Sequence, residues 1–152
     1  MVEQSQHQMQ GYGQLRPETL AKIKAQTKKN FDFFEASVTP EQRIQVEDCV
    51  KHYKTDPAWI ASKMTQLDQD FAACDTNGDG RLDADEHKAF YGRMIERAQA
   101  ESRYCKTYEG QLDDIYDMYN SIDETHEGYS MADFMICKDV AEKYWFEMKG
   151  AR

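Results

Sequence analysis

Residues 75–86 read DTNGDGRLDADE, and this dodecamer constrains the chain more than any other stretch. Asp75, Asn77 and Asp79 put side-chain oxygens on alternate residues of a tightly curled loop, and Asp83 and Glu86 add more towards its end. Gly80 stands where such a loop must turn with a dihedral that a side chain would penalise. Apolar residues flank the loop at helical spacing. Upstream, Ile60, Met64, Leu67, Phe71 and Cys74 mark one face of a helix. Asp56 supplies its N-cap and Pro57 its first helical position. Downstream, Phe90, Tyr91, Met94, Ile95 and Ala98 form a second stripe soon after Glu86. The pattern predicts a helix, an acidic loop and a helix.

The dodecamer satisfies every position of the spacing D-x-[DN]-x-[DN]-G-x₅-E, so this segment resembles the EF-hand family of calcium-binding proteins. The resemblance implies a calcium ion held by Asp75, Asn77 and Asp79 at loop positions 1, 3 and 5. Arg81 at position 7 would give its backbone carbonyl, so a cationic side chain is tolerable there. Asp83 at position 9 would ligate directly or through water, and Glu86 at position 12 with both oxygens. Calcium takes six to eight oxygens at roughly 2.3–2.6 Å in flexible geometry. Magnesium is a possible competitor, because Asp83 adds charge, but it demands stricter octahedral geometry. Leu82 at position 8 is expected to face a partner loop through a short antiparallel pairing.

A partner is present in altered form. Ile115, Met118, Tyr119 and Ile122 form a helical stripe leading to Asp123, and Tyr119 precedes Asp123 by four residues, as Phe71 precedes Asp75. Asp123, Thr125, Glu127 and Gly128 match positions 1, 3, 5 and 6. Counting on to position 12 reaches Phe134, which cannot bind a metal. Deleting one residue after Tyr129 instead puts Asp133 at the clamp, with the apolar position 8 lost. In either register oxygens are missing or badly aimed, and the second hand is expected mainly to support the first. The resemblance covers about residues 57–148.

Ahead of this pair, residues 1–14 are Gln-rich and nearly devoid of apolar content, which predicts disorder. A helix should begin near Pro17, with Leu20, Ile23, Thr27, Phe31 and Phe34 along one side. Thr39, Pro40 and Gln42 suggest a capping box opening a further helix that uses Ile44, Val46, Val50 and Tyr53. The expected fold is therefore all-α: an N-terminal helical segment over 15–55, then an EF-hand pair over 56–149 with a small β pairing between its loops. Phe31, Phe33 and Phe34 could fill an apolar groove of that pair, as permanent core or as a reversible lid.

Charge is uneven. Residues 1–55 carry 8 Lys/Arg against 7 Asp/Glu, a net +1, and residues 56–152 carry 11 against 21, a net −10, which sum to the chain's −9. An acidic module argues against nucleic acid and anionic membranes as partners. A basic amphipathic target helix would suit it better. No apolar run approaches the length of a membrane span. The opening residues MVEQSQHQMQ lack a secretory core and a Gly at position 2. Cys49, Cys74, Cys105 and Cys137 stand far apart, which fits a reducing, cytoplasmic setting better than a disulfide framework. His7, His52, His87 and His126 have no recognisable catalytic companions; Cys49 and His52 share a helix side, but no oxyanion site or orienting acid follows. An enzyme is not expected.

Three functional readings remain. The chain could be a calmodulin-like regulatory protein whose ion moves helices and exposes a target surface. It could instead be a calcium buffer, or a structural subunit of a larger cytoskeletal or motor assembly. Met64, Met94, Met118, Met131, Met135 and Met148 suit an adaptable target surface but equally a core. Tyr144, Trp145 and Phe146 are consecutive and cannot all face one side of a helix.

Overall fold

Proline or an N-capping side chain marks where five of the helices begin. The computed structural model describes residues 15–101, 103–123, 125 and 127–150, apart from the side chains of 52–54. Six helices follow in order: α1 Pro17–Ser37, α2 Pro40–Thr55, α3 Pro57–Cys74, α4 Ala84–Ala100, α5 Gln111–Asn120 and α6 Met131–Gly150. The expected disorder of residues 1–14, and the side chains of His52, Tyr53 and His126, lie outside the described residues. At α2 the capping box forms: the Gln42 amide donates to Thr39 Oγ1 at 3.1 Å, and Gln42 Oε1 accepts from the Thr39 amide at 2.9 Å. At α3 Asp56 accepts from the amides of Ala58 and Trp59 at 3.1 and 3.2 Å.

The chain is all-helical among the described residues, and the expected β pairing is a single antiparallel bridge between Leu82 and Tyr129. Packing runs α3 on α4, α4 on α5 and α5 on α6, with α1 lying across α5 and α6. One apolar cluster joins them, including Ile23, Phe71, Leu82, Phe90, Ile115, Met118, Phe134 and Cys137. Ile23 of α1 is fully buried in this cluster, so α1 belongs to the same core as the paired loops. Further along α1, Phe31 and Phe34 meet Trp145 of α6 edge-on at 4.9 and 5.4 Å between ring centres. Tyr144, Trp145 and Phe146 are all half-buried; Tyr144 lies under Lys24, its ring centre 5.5 Å from the ammonium.

Helix α2 departs from expectation. Its predicted apolar stripe is not buried: Ile44 is 60% exposed, and Val46 and Val50 are only half-covered. The helix packs chiefly on α3, to which the Asp56-Pro57 turn joins it. Of the four cysteines, Cys74 and Cys137 are buried and Cys49 and Cys105 half-buried, all unpaired. No described helix is long and apolar enough to cross a membrane.

Candidate metal centre

The first loop links α3 to α4 and is curled by its own side chains. Asp75 accepts from the amides of Asp79 and Gly80 at 3.2 and 2.8 Å, and Asp79 accepts from the Arg81 amide at 2.9 Å. Gly80 takes φ +80°, the left-handed region that glycine enters without strain. Glu86 then closes the ring. One of its oxygens accepts from the Asp83 amide at 3.0 Å, and the other from the amide and hydroxyl of Thr76 at 2.8 and 3.0 Å. The Glu86 amide donates back to Asp83 at 2.9 Å, so the last two acidic positions also cap α4.

Asn77, Asp79 and Asp83 are exposed, Asp75 and Arg81 half-buried, and Glu86 buried. The donor set is all oxygen: carboxylates, the Asn77 amide oxygen and a backbone carbonyl, which is the chemistry a hard divalent cation requires. Each carboxylate keeps lone pairs beyond those given to amides. Among the described residues no three or more His, Cys, Asp or Glu side chains gather as a metal cluster.

The second loop, between α5 and α6, settles its own register through the bridge. The Leu82 amide donates to the Tyr129 carbonyl at 2.9 Å and the Tyr129 amide to the Leu82 carbonyl at 3.1 Å, with both side chains fully buried. Tyr129 therefore stands opposite position 8, and the apolar position was not lost. Ser130 and Asp133 repeat the Asp83–Glu86 cap, with reciprocal bonds of 3.0 and 3.1 Å. The missing residue lies before Tyr129, not after it. Phe134 is core, packed against Phe90 and Tyr119. Gly128, at φ +97°, passes so close to the first loop that a Cβ there would lie 2.4 Å from the Leu82 carbonyl oxygen.

No family model, curated protein or solved structure matches this chain.

Three residues carry more than sequence reasoning assigned to them. Arg81 uses its side chain as well as its backbone: the guanidinium bonds Asp123 and reaches the Gly128 carbonyl at 3.3 Å. Asp123 also accepts from the amide and hydroxyl of Thr125, each at 2.9 Å, while Glu127 is exposed. The Thr125 amide and then Arg81 hold the Asp123 carboxyl down at about 2, whereas burial raises that of Asp133. His87, the residue after Glu86, is 1% exposed; its Nδ1 lies 2.6 Å from the Tyr129 hydroxyl and its Nε2 3.1 Å from the Leu112 carbonyl. A carbonyl only accepts, so Nε2 carries the proton and Nδ1 accepts from Tyr129. Burial pushes this imidazole down to about 4. Asp70, buried on α3, takes a forked pair of bonds from Arg97 of α4 at 2.7 and 2.9 Å and a longer one from Arg93 at 3.3 Å. The four-residue spacing of Arg93 and Arg97 was the only sequence signal of this pairing.

Proposed function

We propose that the chain is a non-enzymatic, calcium-binding regulatory protein of EF-hand type, with one ion taken by the loop 75–86. What supports this reading is a loop folded by its own acidic side chains, Asp75 reaching across to Gly80 and Glu86 back to Thr76, and joined to a second loop through the Leu82–Tyr129 bridge. Asp75, Asn77, Asp79, Asp83, Glu86 and the Arg81 carbonyl would hold the ion, magnesium competing. The bound ion would supply the positive charge that draws these donors together. Glu86 leads directly into α4, so drawing it inward moves the start of that helix. Through His87 the same turn is tied to Tyr129 and Leu112, which gives the movement a route to α5 and α6.

The target would be a protein or peptide segment. An apolar cleft of about 440 Å³ opens between α1, α2 and α4, lined by Phe33, Phe34, Val46, Val50, Met94 and Trp145 among others. Its charged lining residues are Arg103 and Lys106, so a basic helix has no charge match in this cleft. The acidic surface elsewhere remains the place for such a target. A buffer or structural role is favoured by one observation, the burial of Ile23 from α1 in the common core, which resists opening.

Calorimetric titration of calcium into chelator-stripped protein, repeated in millimolar magnesium, tests the proposal. One equivalent bound in the sensor range, about 10⁻⁷ to 10⁻⁵ M, is the expected result. No uptake at millimolar calcium would sink it. Added calcium should also raise binding of a hydrophobic dye if the protein is a sensor, and leave it unchanged or lower if the ion is structural.

A further inference from the structure

We propose that Arg81 is the resident cation of the second loop, its guanidinium filling the place a metal ion would take there. The bridge fixes which atoms of the two loops correspond. Leu82 pairs with Tyr129, so Gly128 stands where Arg81 stands and Asp123 opens its loop as Asp75 opens the first. The guanidinium touches the second-loop counterparts of two predicted calcium donors, the Asp123 carboxylate and the Gly128 carbonyl. Between Asp123 and Tyr129, the two ends of the stretch the arginine spans, the loop is one residue shorter than between Asp75 and Leu82. A guanidinium is always charged and offers a rigid fork of donors, so it satisfies a carboxylate and a carbonyl together.

An ordinary surface ion pair is the competing account, and exposed pairs contribute little. The pair here is 32% and 19% exposed and joins backbone as well as side chain. One residue therefore serves both loops, its amide bonded to Asp79 in the first and its side chain to Asp123 in the second. Divalent occupancy is limited to one ion, and a shift of the Arg81 backbone is felt across the bridge. The assignment of Arg81 does not depend on calcium binding at 75–86; only the limit to one ion rests on that reading.

The test uses the full chain with Arg81→Gln, Asp123→Asn and the double variant, with Arg81→Met as a second neutral replacement should the first not fold. In chelator, each single change should raise the unfolding equilibrium constant about fivefold, and the double should be no worse than the weaker single variant. Terbium uptake should rise from one equivalent in the parent to two in Arg81→Gln and return to one in the double variant. Effects that multiply in the cycle would reduce Arg81 to a surface pair, and unchanged terbium uptake would show no cation place to fill. Either result overturns the proposal. A parent that binds neither calcium nor terbium, with the cycle still coupled and one equivalent gained in Arg81→Gln, would remove the first-loop reading and leave this one standing.

Discussion

The two helix–loop–helix halves share a frame and differ in what they bury. Aligned on the bridge, Phe71 matches Tyr119, Leu82 matches Tyr129, and the Asp83–Glu86 cap matches Ser130–Asp133. Five residues before each loop the first half buries Asp70 and the second Met118; after each cap the first buries His87 and the second Phe134. The first half thus places polar groups inside and an oxygen ring outside. The second places apolar groups inside and receives its cation from its neighbour. Packing requirements are met in both, so the loops are free to diverge in chemistry while the bridge and caps hold their geometry.

The sharpest way to break the comparison is at the two clamps. Glu86→Gln removes charge from the position that closes the first ring, and calcium affinity should fall about a thousandfold, near 4 kcal/mol. Asp133→Asn, in the loop filled by Arg81, should change it less than threefold. Calorimetry on both variants decides; equal losses would mean that the second loop binds the ion too.

Glycines give the next largest contrast. Gly80 and Gly128 both hold positive φ, but only Gly128 faces backbone. Gly128→Ala combines left-handed strain with a clash against Leu82 that the bridge cannot relieve, for a loss of about 4 kcal/mol. Gly80→Ala meets no neighbouring atom and should cost about 1 kcal/mol. Urea unfolding of the metal-free variants measures both. Similar losses would show that the two loops are not held together at Leu82.

Acid separates the halves through His87, for which Phe134 is the non-titrating counterpart. The folded-state value of about 4 lies below the ordinary 6.5, so between these the unfolded chain binds more protons. Stability from this group is complete above pH 6.5 and is lost as pH falls towards 4, by about 3 kcal/mol in all. His87→Phe, which copies the second half, should flatten unfolding curves taken between pH 7 and 4.5. A slope unchanged in that variant would assign the acid sensitivity elsewhere.

What was legible in the sequence was local. Pro17 sets a helix start through its fixed φ, Thr39 and Asp56 set theirs by bonds to residues two or three away, and periodic spacing finds Ile23, Phe31, Phe71, Phe90 and Met118. Leu82 could be matched to a bridge because the dodecamer fixes its place. The second register could not be counted, since deleting before or after Tyr129 gives the same clamp; only the partner strand residue distinguishes them. In the sequence Arg81 is no more than a tolerated cation, because its side chain acts on another loop, 42 residues away. Ile44 looked like core because spacing records a helical face but not whether anything covers it.

The smallest effect concerns Asp70, where the second half has Met118. The carboxylate is 2% exposed while the side chains of Arg97 and Arg93 are 37% and 49% exposed, so the two ends of the pair are not equivalent. Asp70→Met copies the second half; it frees two arginines that water can solvate and leaves no buried charge behind, so stability should change by less than about 1 kcal/mol. Arg97→Ala leaves the buried carboxylate with only the longer bond to Arg93, and should cost about 2 kcal/mol. Arg97 holds the Asp70 carboxyl below its ordinary value, so this contribution is complete above pH 3.8 and is lost as pH falls through the lowered folded-state value. The gap between parent and Arg97→Ala should therefore close in strong acid, as read by urea midpoints. If Asp70→Met is the more damaging of the two at neutral pH, the carboxylate holds α3 against α4 in a way that an apolar side chain cannot, and the halves differ in helix packing as well as in loop chemistry.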